Sequence, residues 1–217
     1  MSNLTDILSQ LLANHSSHTA KEITGQPKLW RETYDFILGE KAAIASFLSR
    51  VFEGKDLQII LTGAGTSAFI GEILLQSFNR NTGFDTKMIP TTDLVTHPKC
   101  FFNSAIPTLM VSFARSGDSP ESVGAFDLAE KICNQVFHLV ITCNANGRLA
   151  YVARQKKSYI FLMPEKANDQ ALAMTGSFTS MLLAGFLISD INRARDYKSE
   201  VDRVSEAGET ILKKYES

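Results

Sequence analysis

The chain has 217 residues, enough for one sizeable core, and its 44% apolar and 21% charged content is ordinary for a globular protein. A formal net charge of −1, from 22 basic and 23 acidic residues, leaves no basic field for a nucleic-acid partner. Any anion held by this protein must be held by local donors.

Residues 1–12 lack a basic start, a long apolar stretch and a small-residue cleavage site, which argues against secretion and for a cytoplasmic protein. The first 56 residues read as an N-terminal helical segment. Pro27 sits early in it, Trp30, Tyr34, Ile37 and Leu38 share one face, and Ile44, Phe47, Leu48 and Val51 continue that face.

From residue 57 short apolar runs alternate with turn signals, at 57–62, 86–90, 108–113, 137–142 and 158–162. Between them, residues 67–79 place Phe69, Ile70, Ile73, Leu74 and Phe78 at helical spacing, and residues 120–133 do the same with Val123, Phe126, Ala129 and Cys133. Strands alternating with helices predict crossover connections and a parallel sheet covered on both faces, a three-layer α/β/α domain over 57–195. The continuously apolar runs 58–61 and 109–111 fit strands buried on both sides.

The most apolar run, 178–188, is broken by Thr179, Ser180 and Gly185 and is too short to span a bilayer; it reads as a buried helix. The tail, 196–217, places Val201, Val204, Ile211, Leu212 and Tyr215 at helical spacing. It reads either as a docked last helix or as the start of a linker to further sequence. Cys100, Cys133 and Cys143 are scattered and odd in number, which points to reduced thiols in the core. With His15, His18, His97 and His138 they make no zinc-like spacing, so neither a metal nor a cofactor is expected.

In an open parallel sheet, ligands bind at the carboxyl ends of the strands. The first strand-to-helix loop there is Thr62-Gly63-Ala64-Gly65-Thr66-Ser67-Ala68. Its glycines let backbone approach a ligand, and Thr66 and Ser67 put hydroxyls where free N–H groups favour an anion. The alternative is that either hydroxyl caps the helix, and this loop alone leaves both readings open. Gly63, Gly65 and Ala68 also match the G-x-G-x-x-A dinucleotide pattern. That pattern needs an acid at the end of the next strand, and Asp85 and Asp93 fall before and after the right place.

The second loop, Ala114-Arg115-Ser116-Gly117-Asp118-Ser119-Pro120-Glu121-Ser122, decides between them. Pro120 suits a first helical position, so Ser119 is expected at the N-cap, whereas Ser116 lies upstream with no capping role. Arg115 is either a fork of donors for a phosphate or a solvated loop arginine. Two hydroxyl loops opening helices at one sheet edge can surround a single phosphate with neutral donors.

Gly65-Thr66-Ser67 followed by Ser116-Gly117-Asp118-Ser119-Pro120-Glu121-Ser122 resembles the paired phosphate loops of the sugar isomerase (SIS) domain family, over roughly residues 45–190. The resemblance implies a five-stranded parallel sheet and a dimer or higher homo-oligomer. Residues 61–71, 90–96 and 141–144, with Gln26-Pro27 and Trp30, look like the bacterial tagatose-6-phosphate ketose/aldose isomerase group, also described as galactosamine-6-phosphate deaminase, of amino-sugar catabolism. It implies that Thr66, Ser67, Ser116 and Ser119 hold a sugar phosphate with Gly65, Arg115 and Gly117 beside them. The turn carrying Thr175 and Ser177 takes the place of a substrate-lining loop, although its residues depart from the Ser-Thr-Lys pattern of the family's glucosamine-6-phosphate synthase.

Isomerisation needs a base to move a proton between C1 and C2. In two-domain members of the family it is a glutamate of a second SIS domain, and this chain is about half the usual length. Glu72 and Glu121 are candidates, but no catalytic residue is assigned. A non-catalytic sugar-phosphate sensor is the alternative to the enzyme.

Overall fold

The computed structural model describes residues 18–53 and 56–216; residues 1–17, with His15, and residues 54, 55 and 217 lie outside it, as does the Tyr215 side chain. Helix α1 (His18–Val51) is followed by β1 (Gln58–Gly63), α2 (Thr66–Thr82), β2 (Asp85–Met88) and the short helices α3 (Thr91–Thr96) and α4 (Pro98–Phe101). Then come β3 (Thr108–Ala114), α5 (Pro120–Ile132), β4 (Val136–Thr142), α6 (Arg148–Ala153), β5 (Ser158–Leu162), α7 (Gly176–Ser189) and α8 (Lys198–Glu216).

The five strands form one parallel sheet in the order β2-β1-β3-β4-β5. Strand period 2 sorts its side chains between two covers. Ile59, Leu61, Val111 and Ile141 pack with Ile37, Ile70, Leu74, Met181 and Leu187 of α1, α2 and α7. Ile60 and Met110 point the other way, toward Leu94, Ala125 and Ala129 of α3 and α5. The larger cluster draws on all three sequence spans, from Ile37 through Leu61 to Val201.

Pro27 lies well inside α1, where it leaves the carbonyl four residues back without its usual partner. The Gln26 amide donates to that carbonyl, Ile23 O, at 3.4 Å, and its oxygen accepts from Thr179 Oγ1 of α7 at 2.7 Å. Trp30 Nε1 donates to the same hydroxyl at 2.9 Å, so a break in α1 becomes its junction with α7. Helix α8 folds back along α1, where Arg31 pairs with Glu209, and with Asp202 at 3.8 Å.

The second strand departs from expectation. It runs over Asp85–Met88 rather than 86–90, and Pro90 becomes the N-cap of α3, since a residue without an N–H suits a helix start better than a ladder. The expected N-cap at Ser119 is right in position and differs in chemistry. Its hydroxyl donates to Ser122 Oγ at 2.6 Å and makes no capping bond to the backbone.

His138 lies third in β4, fully buried and stacked on Phe126 at 3.8 Å between ring centroids. Its Nε2 lies 3.0 Å from Glu130 Oε1, and Lys156 Nζ lies 2.9 Å from Glu130 Oε2. Burial pulls the imidazole pKa down to about 4 against the opposing pull of Glu130. Buried Nδ1 has no partner, so a second ring proton would have nothing to bond.

Candidate functional site

The strand order reverses between β1 and β3, and there the two hydroxyl loops leave the sheet on opposite sides. In the first loop Gly65 has φ 54°, a conformation open to glycine, and precedes α2 as its N-cap. Ser67 N bonds Ala64 O at 3.1 Å and Ala68 N bonds Gly65 O at 3.0 Å, making a tight turn into the helix. Gly63 is required for space, because a Cβ there would sit 2.6 Å from the Ser67 backbone.

Neither hydroxyl of this loop caps α2. Thr66 is exposed, and among the described residues its hydroxyl has no protein partner. Ser67 is buried, and its Oγ meets only the Met174 thioether, at 3.7 Å. A thioether is a weak acceptor that a charged oxygen outcompetes.

In the second loop Gly117 has φ 70°. Ser116 is exposed and its Oγ accepts from Asp118 N at 3.3 Å, while half-buried Ser119 leans on Ser122. The loop after β4 braces it from behind. Asn144 Nδ2 donates to Ser116 O, Leu149 N to Gly117 O and Arg148 N to Asp118 Oδ1, each at 2.9 Å. Gly147 stands so close that a Cβ would lie 2.3 Å from Ser116 O.

Arg115 does not extend freely into solvent. Its Nη1 donates to Ala171 O at 2.8 Å and Leu172 O at 3.2 Å. Thr175 and Ser177, expected to line the substrate, both bond Asp169, which is itself buried. That carboxylate accepts from the N–H groups of Thr175, Gly176 and Ser177 at 2.8, 3.1 and 2.9 Å, and from the Ser177 hydroxyl at 2.5 Å. Fully buried Ser177 thus closes the start of α7 through Asp169.

Of the carboxylates weighed as bases, Glu72 is exposed on α2 and Glu121 is half-buried in the first turn of α5. His97 is exposed beside Thr96, and His138 lies toward the start of its strand, away from the loops. The acid a dinucleotide ribose needs at the end of β2 is replaced by Met88, Ile89 and Pro90. Among the described residues no three His, Cys, Asp or Glu side chains converge as a metal site, and no helix is long and apolar enough to cross a membrane. A groove of about 460 Å³ lies elsewhere, walled by apolar side chains of α2, α7 and α8 such as Ile73, Phe186 and Val204. Its few polar groups, among them Ser77, Thr179 and Glu200, are set in a largely apolar wall away from the two hydroxyl loops.

Asn144, Gly147 and Asp169 escaped sequence reasoning as parts of this site. The turn-rich stretch after β4 was a local signal for the first two. Asp169 acts across an irregular turn, which no periodic pattern marks.

No family model matches the chain. It is 47% identical over 196 residues to a Streptomyces coelicolor protein provisionally named D-galactosamine-6-phosphate deaminase AgaS, covering 90% of this chain and 50% of that one. The D-galactosamine-6-phosphate deaminase AgaS of Shewanella sp. strain ANA-3 is 42% identical over 191 residues, covering 86% of this chain and 49% of its own. A crystal structure from Clostridium novyi NT, provisionally described as a tagatose-6-phosphate ketose/aldose isomerase, superposes with a TM-score of 0.90 at 42% identity, over 98% of this chain and 55% of that one. The chain thus spans about half the length of the curated relatives it matches. With such identity across most of its residues, and the same parallel sheet, the chain is similar over most of its length to about half of each of these proteins, as the resemblance to the sugar isomerase (SIS) domain family implies.

Proposed function

We propose that this chain binds the phosphate of a six-carbon sugar phosphate of amino-sugar metabolism, galactosamine 6-phosphate or tagatose 6-phosphate, as the binding half of a deaminase or aldose–ketose isomerase. The observation that carries the reading is that the hydroxyls of Thr66, Ser67, Ser116 and Ser119 stand at the β1/β3 switch point without capping a helix. Gly65 and Gly117 bring backbone beside them. Names of relatives more than 40% identical supply the sugar.

In this reading the hydroxyls and the N–H groups opening α2 and α5 surround the dianion with neutral donors, which suits a chain of net charge −1. Turnover requires a base, which we place outside the 217 residues, in a partner subunit or in sequence corresponding to the relatives' other half. Homo-oligomeric assembly in a cytoplasmic setting completes the proposal. A second reading, a binding or sensing module without turnover, is favoured by one observation. Asp118 and Asp169, the carboxylates bonded within these loops, are both engaged by backbone N–H groups.

Thermal melts test the reading. A ligand present at about a hundredfold its Kd stabilises by roughly 2.7 kcal/mol. Galactosamine 6-phosphate or tagatose 6-phosphate is expected to raise the melting temperature, and the unphosphorylated sugars are not. Stabilisation by NAD with none by either sugar phosphate would overturn it.

A further inference from the structure

The segment 169–175, between β5 and α7, crosses from the second hydroxyl loop to the first. It owes little to apolar burial: Gln170 and Ala173 are exposed, and Leu172 is 93% exposed. Polar tethers give it its shape instead. Glu22 Oε1 of α1 accepts Gln170 N at 2.6 Å and Ala171 N at 3.1 Å. From the other side Arg115 Nη1 takes the carbonyls of Ala171 and Leu172 at 2.8 and 3.2 Å. Asp169 fixes the far end at Thr175, and just before it Met174 offers its sulfur to the Ser67 hydroxyl at 3.7 Å.

A guanidinium has five N–H donors, and both on Nη1 are aimed at this strap. We infer that Arg115 is a positioning residue: it fastens the strap that sets Met174 against Ser67, and it acts on the sugar rather than on the phosphate. This inference rests on the sugar-phosphate reading of the site. Its logic is geometric. The dianion is reached by hydroxyls and amides of the two loops whether or not the strap is ordered. The sugar must extend out of the cradle past whatever lies over Ser67, so a loose strap penalises the sugar phosphate and spares the bare anion.

Calorimetric titration of the full chain with inorganic phosphate and with galactosamine 6-phosphate, together with amide hydrogen exchange over 170–175, tests this. Arg115→Ala is expected to raise the sugar-phosphate Kd about tenfold and the inorganic-phosphate Kd less than about twofold. Strap amides should exchange at least about tenfold faster, with the rest of the chain unchanged. Arg115→Lys, whose ammonium can still reach a carbonyl, is expected to recover part of both effects.

A rise of about tenfold in the Kd of both ligands with unchanged strap exchange would overturn the inference and make Arg115 a phosphate ligand. Faster strap exchange with both affinities intact would overturn it too, leaving a tether with no part in binding. If the parent protein bound neither ligand, the sugar-phosphate reading would fall and take the affinity argument with it. Unchanged exchange would instead remove the tether alone.

Discussion

Replacing Gly147 with alanine isolates how the loop after β4 holds the second hydroxyl loop. Gly147 has φ −63° and ψ 150°, which alanine adopts freely, so the backbone imposes no penalty. Reduced freedom of the unfolded chain would, if anything, stabilise the variant by about 0.4–1 kcal/mol. The new Cβ would, however, lie 2.3 Å from Ser116 O, and the two loops must part by roughly 1 Å to reach even tight van der Waals contact. Three bonds span that gap at 2.9 Å, from Asn144, Leu149 and Arg148. Such a parting carries each beyond hydrogen-bonding range, at about 0.5–1.5 kcal/mol apiece, part of it recovered from water.

With the unfolded-state gain set against this, a net loss of about 1–2 kcal/mol is expected, lowering the melting temperature by about 2–8 °C in a chain of this size. Displacing Ser116 and Ser119 together should weaken sugar-phosphate binding at least about tenfold. Gly25→Ala serves as the control. An added Cβ there meets nothing within 4 Å inside α1, so about 0.5–1 kcal/mol of stabilisation and unchanged binding are expected. Thermal melts and calorimetric titration of both variants suffice. A Gly147→Ala protein that binds and melts like the parent would refute the claim that packing of this loop positions the phosphate cradle.

Two further outcomes follow from groups away from the site. His138 has its pKa lowered from 6.5 to about 4, so the unfolded chain takes up a proton that the folded one refuses. Stability is then full above pH 6.5 and lost as pH falls toward 4, by up to about 3 kcal/mol. Burial alone would raise the Glu130 carboxyl, but its bonds to Lys156 and His138 pull it down, which adds a loss in the same direction at more acid pH. Denaturant unfolding at pH 7.5 and 5 should show the decline in the parent and a much smaller one in His138→Leu; equal declines would refute the assignment. Among the cysteines, burial pushes the Cys143 thiol up to about 12 and raises Cys133, while Cys100 is exposed. A thiol reagent at pH 8 should label one cysteine in the native protein and all three in denaturant, and rapid native labelling of three would show that these buried sites open.

The alternation of apolar runs with amphipathic stretches was enough to read the layers, because crossover connections leave strands apolar on both faces and helices on one. Four of the five strands fall within a residue of their predicted ends, and the second deviates where Pro90 ends the ladder. The hydroxyl loops were legible for a similar reason: they are contiguous in sequence and sit where a strand gives way to a helix. Their helices' N-termini depend on local geometry, and the residues around Gly65 and Ser119 reveal it.

Which groups these side chains meet in the fold is not marked by any pattern of residue types. Ser119 and Pro120 gave every local sign of a capping serine, yet Ser122, one turn on, takes the hydroxyl. Arg115 was open to two readings, a phosphate fork or a solvated loop arginine, and in the fold it meets the carbonyls of Ala171 and Leu172, more than fifty residues away. Ser177, expected to line the substrate, bonds Asp169, eight residues back across an irregular turn. A pattern of residue types records what each segment can bury and where it can turn. Which donor meets which acceptor depends on how irregular turns pack against one another, and only the tertiary structure brings residues 22, 67, 115 and 169–175 together.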